Sequence, residues 1–185
     1  VDYLTRWMMG ADIVDAFEIS LIGATVYDQF AGRGFFGRGN ATKKAKKLLT
    51  EMRGLDNRSI TNACKLAGFD VCYRVGVAAY KPIEEIEPDQ GTIDNIRTMV
   101  ERSLEFWKTY GPIVKDGFTF EGGYTDIISS GDGDYLSQDT LWDFKVTKNE
   151  IKPQQTLQLL VYYIMGMHSK YKEFKTIRHL GLFNP

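Results

Sequence analysis

The chain has 185 residues, of which 43% are hydrophobic and 25% charged, and its formal net charge is -1 at pH 7. That apolar content supports one sizeable core and excludes an intrinsically disordered chain. The near-neutral balance excludes a surface coated uniformly in positive charge, while leaving room for local basic patches.

Two cysteines, Cys64 and Cys72 in CKLAGFDVC, and two histidines do not make the short knuckles of a structural zinc site. They are expected to be buried free thiols of a reducing compartment. The most apolar run, LQLLVYYIMGM, is shorter than a bilayer span, and no signal-peptide pattern opens the sequence. A cytoplasmic protein with no membrane partner is expected. The start at Val1 and the stop at Pro185, just after a strand, fit an excerpt of a longer chain.

In chain order, VDYLTRWMMGADIVDAFEISLIGATVYDQF reads as mostly helical, and GRGFFGRGN is a glycine-rich break. ATKKAKKLLTEM predicts a helix capped by Asn40 or Thr42. A further helix, SITNACKLAG, starts from Asp56 or Ser59 and ends at Gly68. FDVCYRVGVAAY has the β-branched and aromatic alternation of a strand, and Pro82 and Pro88 bracket an acidic loop. From Thr92, steps of three and four through Ile93, Ile96, Val100, Leu104 and Trp107 predict an amphipathic helix stopped by Gly111-Pro112.

The period then changes. GFTFEGGYTDIISSGDGDYLSQDTLWDFKV predicts a β-meander. KPQQTLQLLVYYIMGMHS predicts a helix buried on nearly every side, with Leu157, Leu160, Val161, Ile164 and Met165 in the core, and IRHLGLF a closing strand. The expected organisation is a mostly helical part, residues 1–88, packed on a core of residues 89–185 as one compact unit.

The stretch GDGDYLSQDTLWDFKV carries more negative charge than a surface hairpin needs. A turn at Gln138-Asp139 pairs Ser137 with Thr140, Leu136 with Leu141, Tyr135 with Trp142 and Asp134 with Asp143. A longer four-residue turn from Ser137 to Thr140 keeps that pairing, whereas an odd-length loop shifts it by one. Directly opposed residues share a face, and strand alternation adds Lys145, two residues beyond Asp143. Two carboxylates placed in this way suit one small cation. The acidic spacing does not follow the EF-hand order.

Gly131-x-x-Asp134-Tyr135-Leu136, then Asp143-Phe144-Lys145, then Gln158-Leu159-x-x-Tyr162 resembles the PD-(D/E)XK nuclease superfamily, the fold of many restriction endonucleases and recombination exonucleases. The likeness spans about the second half of the chain. It implies an α/β fold, a restriction-endonuclease-like mixed sheet flanked by helices, here with a mostly helical N-terminal extension.

It also implies a divalent-metal-dependent nuclease that cuts phosphodiesters, of DNA more than RNA. Asp134 and Asp143 would be ligands to Mg²⁺ or Mn²⁺, joined by the Phe144 carbonyl. Lys145 would position or deprotonate the attacking water, and Gln158 would support the site or touch substrate. Asp126, in the similar G-x-x-D of GYTD, stays open as the alternative first acid, and Glu101 or Glu105 could add a carboxylate from the preceding helix.

Arg33, Arg38, Lys43, Lys44, Lys46 and Lys47, interleaved with Phe35 and Phe36, form a run without acidic residues. Such a run is a solvated helix face or, beside a nuclease, an arm that grips nucleic acid. A catalytically silent module of the same fold, binding nucleic acid or a protein partner, is the alternative function. A homo-oligomer is compatible with either.

Overall fold

The structure, a computed structural model, describes residues 1–31 and 40–185, and the chain divides into two units, Val1–Leu104 and Glu105–Pro185. Arg33, Arg38, Phe35 and Phe36 lie outside the described residues.

The first unit is built from α1 (Asp2–Met8), α2 (Ile13–Ala16), α3 (Glu18–Ala31), α4 (Ala41–Thr50), α5 (Asn57–Ala67), α6 (Asp70–Arg74) and the start of α7 (Gln90–Tyr110). Apolar residues of these helices and their connections meet in a core that includes Leu4, Phe17, Ile60, Leu66, Phe69 and Val100. Asp56 caps α5 by accepting the Ser59 amide at 3.0 Å, and Gly68 ends that helix.

Asn40 occupies the residue before α4, yet its side chain makes no capping bond. Asp28 of α3 does this work, accepting the amides of Ala41 at 2.8 Å and Thr42 at 2.9 Å. A carboxylate has the two oxygens and the charge to satisfy two amides that a helix start leaves without partners. Partial burial raises the Asp28 carboxyl, but the bonds from Thr42 and Ala41 outweigh it and hold the group below its ordinary value.

Asp28→Ala is therefore expected to cost about 1 kcal/mol of stability, within the roughly 0.5–2 kcal/mol range of lost caps. Because the folded value is depressed, this stabilisation is present above the unfolded carboxylate pKa and is lost as pH falls through the folded one. Urea midpoints of wild type and variant should differ at pH 7 and converge in acid.

FDVCYRVGVAAY, expected as a strand, folds instead as α6 and a 3₁₀ turn, Val77–Ala79. Phe69 and Cys72, three apart, are buried together, and the Asp70 carboxylate accepts hydroxyl bonds from Tyr3 at 2.5 Å and Ser20 at 2.7 Å. These contacts, with no strand among the described residues of the first unit to pair with, override the β preference of the valines. Cys64 and Cys72 are both free thiols, but only Cys72 is buried and Cys64 is half-buried.

The second unit begins within α7 and continues with β1 (Lys115–Thr119), β2 (Asp132–Leu136), β3 (Thr140–Phe144), α8 (Pro153–His168) and β4 (His179–Phe183). The sheet order is β1-β2-β3-β4, antiparallel except for β3 and β4, which run parallel. It is a mixed sheet in an α/β protein, and α8 supplies the crossover that a parallel pair requires.

Alternation sorts the sheet into two faces. Leu136 and Leu141 join Leu159 and Met165 of α8 in one cluster. On the other face Tyr135, Trp142, Phe144 and Phe183 meet Phe106 and Trp107 of α7; the Trp107 and Phe144 rings stack at 5.4 Å. Two glycines make this packing fit. Gly133 faces Phe118 and Gly181 faces Trp142 across the strands, and a Cβ at either would lie 2.3 Å or 2.1 Å from the ring.

Two expectations for this unit need correction. The meander is not continuous: between β1 and β2 the chain wraps around the Tyr124 hydroxyl, which accepts the Phe120 amide at 3.0 Å and donates to the Gly131 carbonyl at 3.1 Å. Nor is α8 buried all round. Leu159 and Met165 are buried, but Leu157, Leu160 and Ile164 are exposed and Val161 only partly covered, because the sheet meets one side of the helix. Among the described residues no helix is long and apolar enough to cross a membrane.

Candidate active site

The hairpin has the register expected from its turn. Tyr135 pairs with Trp142 and Leu136 with Leu141, and the Ser137 amide donates to the Thr140 carbonyl at 3.0 Å. Trp142 Nε1 donates to Ser137 Oγ at 3.0 Å, tying the turn to the strand. The same count sets Asp134 opposite Asp143, but regular pairing stops one step earlier. There the Phe144 amide donates to Asp134 Oδ2 at 2.7 Å. A side-chain oxygen thus takes an amide that a continuing ladder would have given to β2.

Asp143 is 3% exposed, which is rare for a carboxylate. Lys145 Nζ lies 3.0 Å from its Oδ1 and 2.7 Å from its Oδ2, with hydrogen-bond geometry at Oδ1 alone. Oδ2 and Trp107 Nε1 are the two buried side-chain polar atoms among the described residues that lack a hydrogen-bond partner. Such atoms are few in native folds, and Oδ2 is held instead by ionic contact with the Lys145 ammonium. Burial pushes the Asp143 carboxyl above the usual range, and the Lys145 ammonium pulls against it.

The backbone between them is held on both sides. The Lys145 amide donates to the Phe183 carbonyl of β4 at 2.8 Å. In a trans peptide the carbonyl and the amide point opposite ways, so the Phe144 carbonyl is aimed away from β4, toward β2 and Asp134. Asp134 and the Phe144 carbonyl therefore face the seam between β2 and β3, and Asp143 precedes Phe144 on β3. Beyond it Asn184 bonds both the amide and the carbonyl of Thr147, at 3.2 and 2.8 Å, clamping the exit of β3 to the end of β4. Neither this clamp nor the Tyr124 hydroxyl is signalled in sequence, since each depends on residues brought close by folding.

Gln158 is half-buried on α8 and donates to the Tyr162 hydroxyl at 2.9 Å. Asp126 is exposed in a turn from Thr125 to Ile128, off the sheet. Glu101 and Glu105 are exposed on α7, and Glu105 binds Lys108 at 2.7 Å. On α4, Lys43, Lys44, Lys46 and Lys47 are exposed around the buried Ala41, Ala45 and Leu49. The run is less free of acid than it reads: Lys44 meets Glu84 at 2.5 Å and Lys47 lies 4.0 Å from Glu51.

A cavity of about 540 Å³ is lined by Tyr124, Ile128, Val161, Ile164, Met165 and His168, among others, and by none of Asp134, Asp143 or Lys145. Its apolar walls suit no phosphodiester chemistry, so the acid and lysine cluster is the better candidate despite lying outside it. No family model, curated protein or solved structure matches the chain.

Among the described residues no three His, Cys, Asp or Glu side chains gather to hold a metal ion. The candidate donors are the Asp134 and Asp143 carboxylates and the Phe144 carbonyl. This fits Mg²⁺ or Mn²⁺, since Mg²⁺ is commonly held by one or two carboxylates with water and substrate phosphate completing its shell.

Proposed function

We propose that the chain is a divalent-metal-dependent nuclease with a PD-(D/E)XK-like, restriction-endonuclease-like core, hydrolysing phosphodiester bonds of DNA. The observation that carries this reading is the Asp143 carboxylate, sealed from solvent, with Lys145 against both oxygens and one oxygen lacking a hydrogen bond. A buried ion pair is a poor device for stability, since apolar residues of similar volume often do as well or better. The helix, three-strand, helix, strand order of the second unit supports the same reading.

Asp134, Asp143 and the Phe144 carbonyl would hold Mg²⁺ or Mn²⁺. That ion, when bound, acidifies water and offsets phosphate charge. Lys145 brings a positive charge to where negative charge develops on the phosphate. Burial of the Asp143 wall lowers the local dielectric and strengthens each of these interactions. Gln158, steadied by Tyr162, lies on the helix that covers the same face and would touch substrate.

The test is cleavage of linear, circular and single-stranded DNA, and of RNA, in Mn²⁺ or Mg²⁺ and in EDTA. Products are expected on DNA with metal only, lost in Asp134→Asn and retained in Asp126→Asn. Absence of both cleavage and a metal-dependent thermal shift would reject the nuclease. Binding in EDTA that survives Asp143→Ala and Lys145→Ala, with no product in metal, would instead identify a silent binding module.

A further inference from the structure

We propose that Lys145 is an internal counter-ion that a divalent cation must displace from Asp143, so that metal and nucleic acid bind cooperatively through this one side chain. The inference rests on the nuclease reading and adds an order of events to it.

A carboxylate as buried as Asp143 cannot rely on water for neutralisation. With no metal bound, the Lys145 ammonium fills that role, 2.7 and 3.0 Å from the two oxygens. An incoming cation needs those same oxygens. Ammonium and metal on one carboxylate would lie within a few ångströms of each other and repel, more strongly in a dry site than in water.

The two partners differ in freedom. The Asp143 side chain is 4% exposed and that of Lys145 is 22% exposed. Asp143 is fixed inside the sheet, whereas Lys145 has a flexible stem and a route to solvent, so the lysine is the group that moves. One cation replaces another on the carboxylate. Once released to solvent the ammonium can pair with a new anion, and a phosphate of bound nucleic acid is the one the proposed reaction brings.

Metal binding is thereby weakened by the cost of breaking the Lys145–Asp143 pair and strengthened once phosphate takes the ammonium. By linkage the metal must strengthen nucleic-acid binding by the same factor.

Lys145→Met keeps the stem and removes the charge. Titration calorimetry with Mn²⁺ and no nucleic acid is expected to show affinity at least tenfold tighter in Lys145→Met than in wild type, and near wild type in Lys145→Arg. Unchanged or weaker Mn²⁺ binding by a folded Lys145→Met would overturn the inference. Should that variant not fold, the wild-type lysine ammonium signals, followed by NMR during Mg²⁺ titration, give the readout. A Lys145 signal that shifts to a solvent-exchanging position supports displacement, and one unmoved at saturation overturns it. Wild type that cleaves and binds Mn²⁺ beside an unaltered Lys145→Met removes this inference alone. Absence of Mn²⁺ binding and of cleavage removes the nuclease reading as well.

Discussion

Substitution of Asp143 by asparagine is expected to lower metal-dependent cleavage by about 10²–10³-fold or more, the scale on which one directly acting electrostatic group is lost, while the protein stays folded. Asparagine matches the shape of aspartate but carries no charge. It would leave the seam one anion short, with Asp134 and the Phe144 carbonyl as its remaining donors toward a cation. Cleavage rates at saturating Mn²⁺ read this effect.

The stability side of the same substitution decides between a structural and a chemical role. Removing one partner of a fully sealed ion pair costs about 3–5 kcal/mol, because a charge is left stranded. Here the surviving charge is Lys145, whose partly exposed side chain can carry its ammonium to water. Burial also disfavours the Asp143 charge in the fold. Unfolding in urea is therefore expected to change by less than about 2 kcal/mol, well under the cost of a sealed pair. A collapse in stability with no selective loss of cleavage would make Asp143 a structural residue.

Gly23→Ala is expected to destabilise the first unit by at least about 1–3 kcal/mol, the cost of overpacking. Helix propensity alone argues the reverse, since alanine in a helix interior is favoured over glycine by about 1 kcal/mol. The close approach decides. A Cβ at Gly23 would lie 2.1 Å from the Phe69 carbonyl oxygen and 2.8 Å from its carbon, both backbone atoms that cannot rotate away. Helix α3 would have to move off the Phe69 and Asp70 backbone, loosening the Ser20 bond to Asp70. Thermal unfolding followed by circular dichroism should show a clear fall in Tm. An unchanged or raised Tm would mean that propensity wins and that the helices give way easily.

The candidate site was largely legible in the chain because its key spacing is local. A two-residue step in a strand puts Asp143 and Lys145 on one face whatever surrounds them, and the short turn between Ser137 and Thr140 sets which residues of β2 and β3 meet. Helix α7 follows in the same way from an apolar period of 3.6.

What the sequence by itself determined, then, is the order of elements in the second unit and the hairpin register at Tyr135–Trp142 and Leu136–Leu141. Tertiary structure alone decided that the valines after Phe69 join a helix and a turn, that Asp28 rather than Asn40 starts α4, and that α8 leaves Leu157, Leu160 and Ile164 exposed. It also turned Asp134 onto the Phe144 amide and set Glu84 beside Lys44. The physical reason is range. Backbone geometry repeats over a few residues and is written in local spacing, whereas burial, capping and ion pairing depend on groups far along the chain that only the finished fold brings within bonding distance.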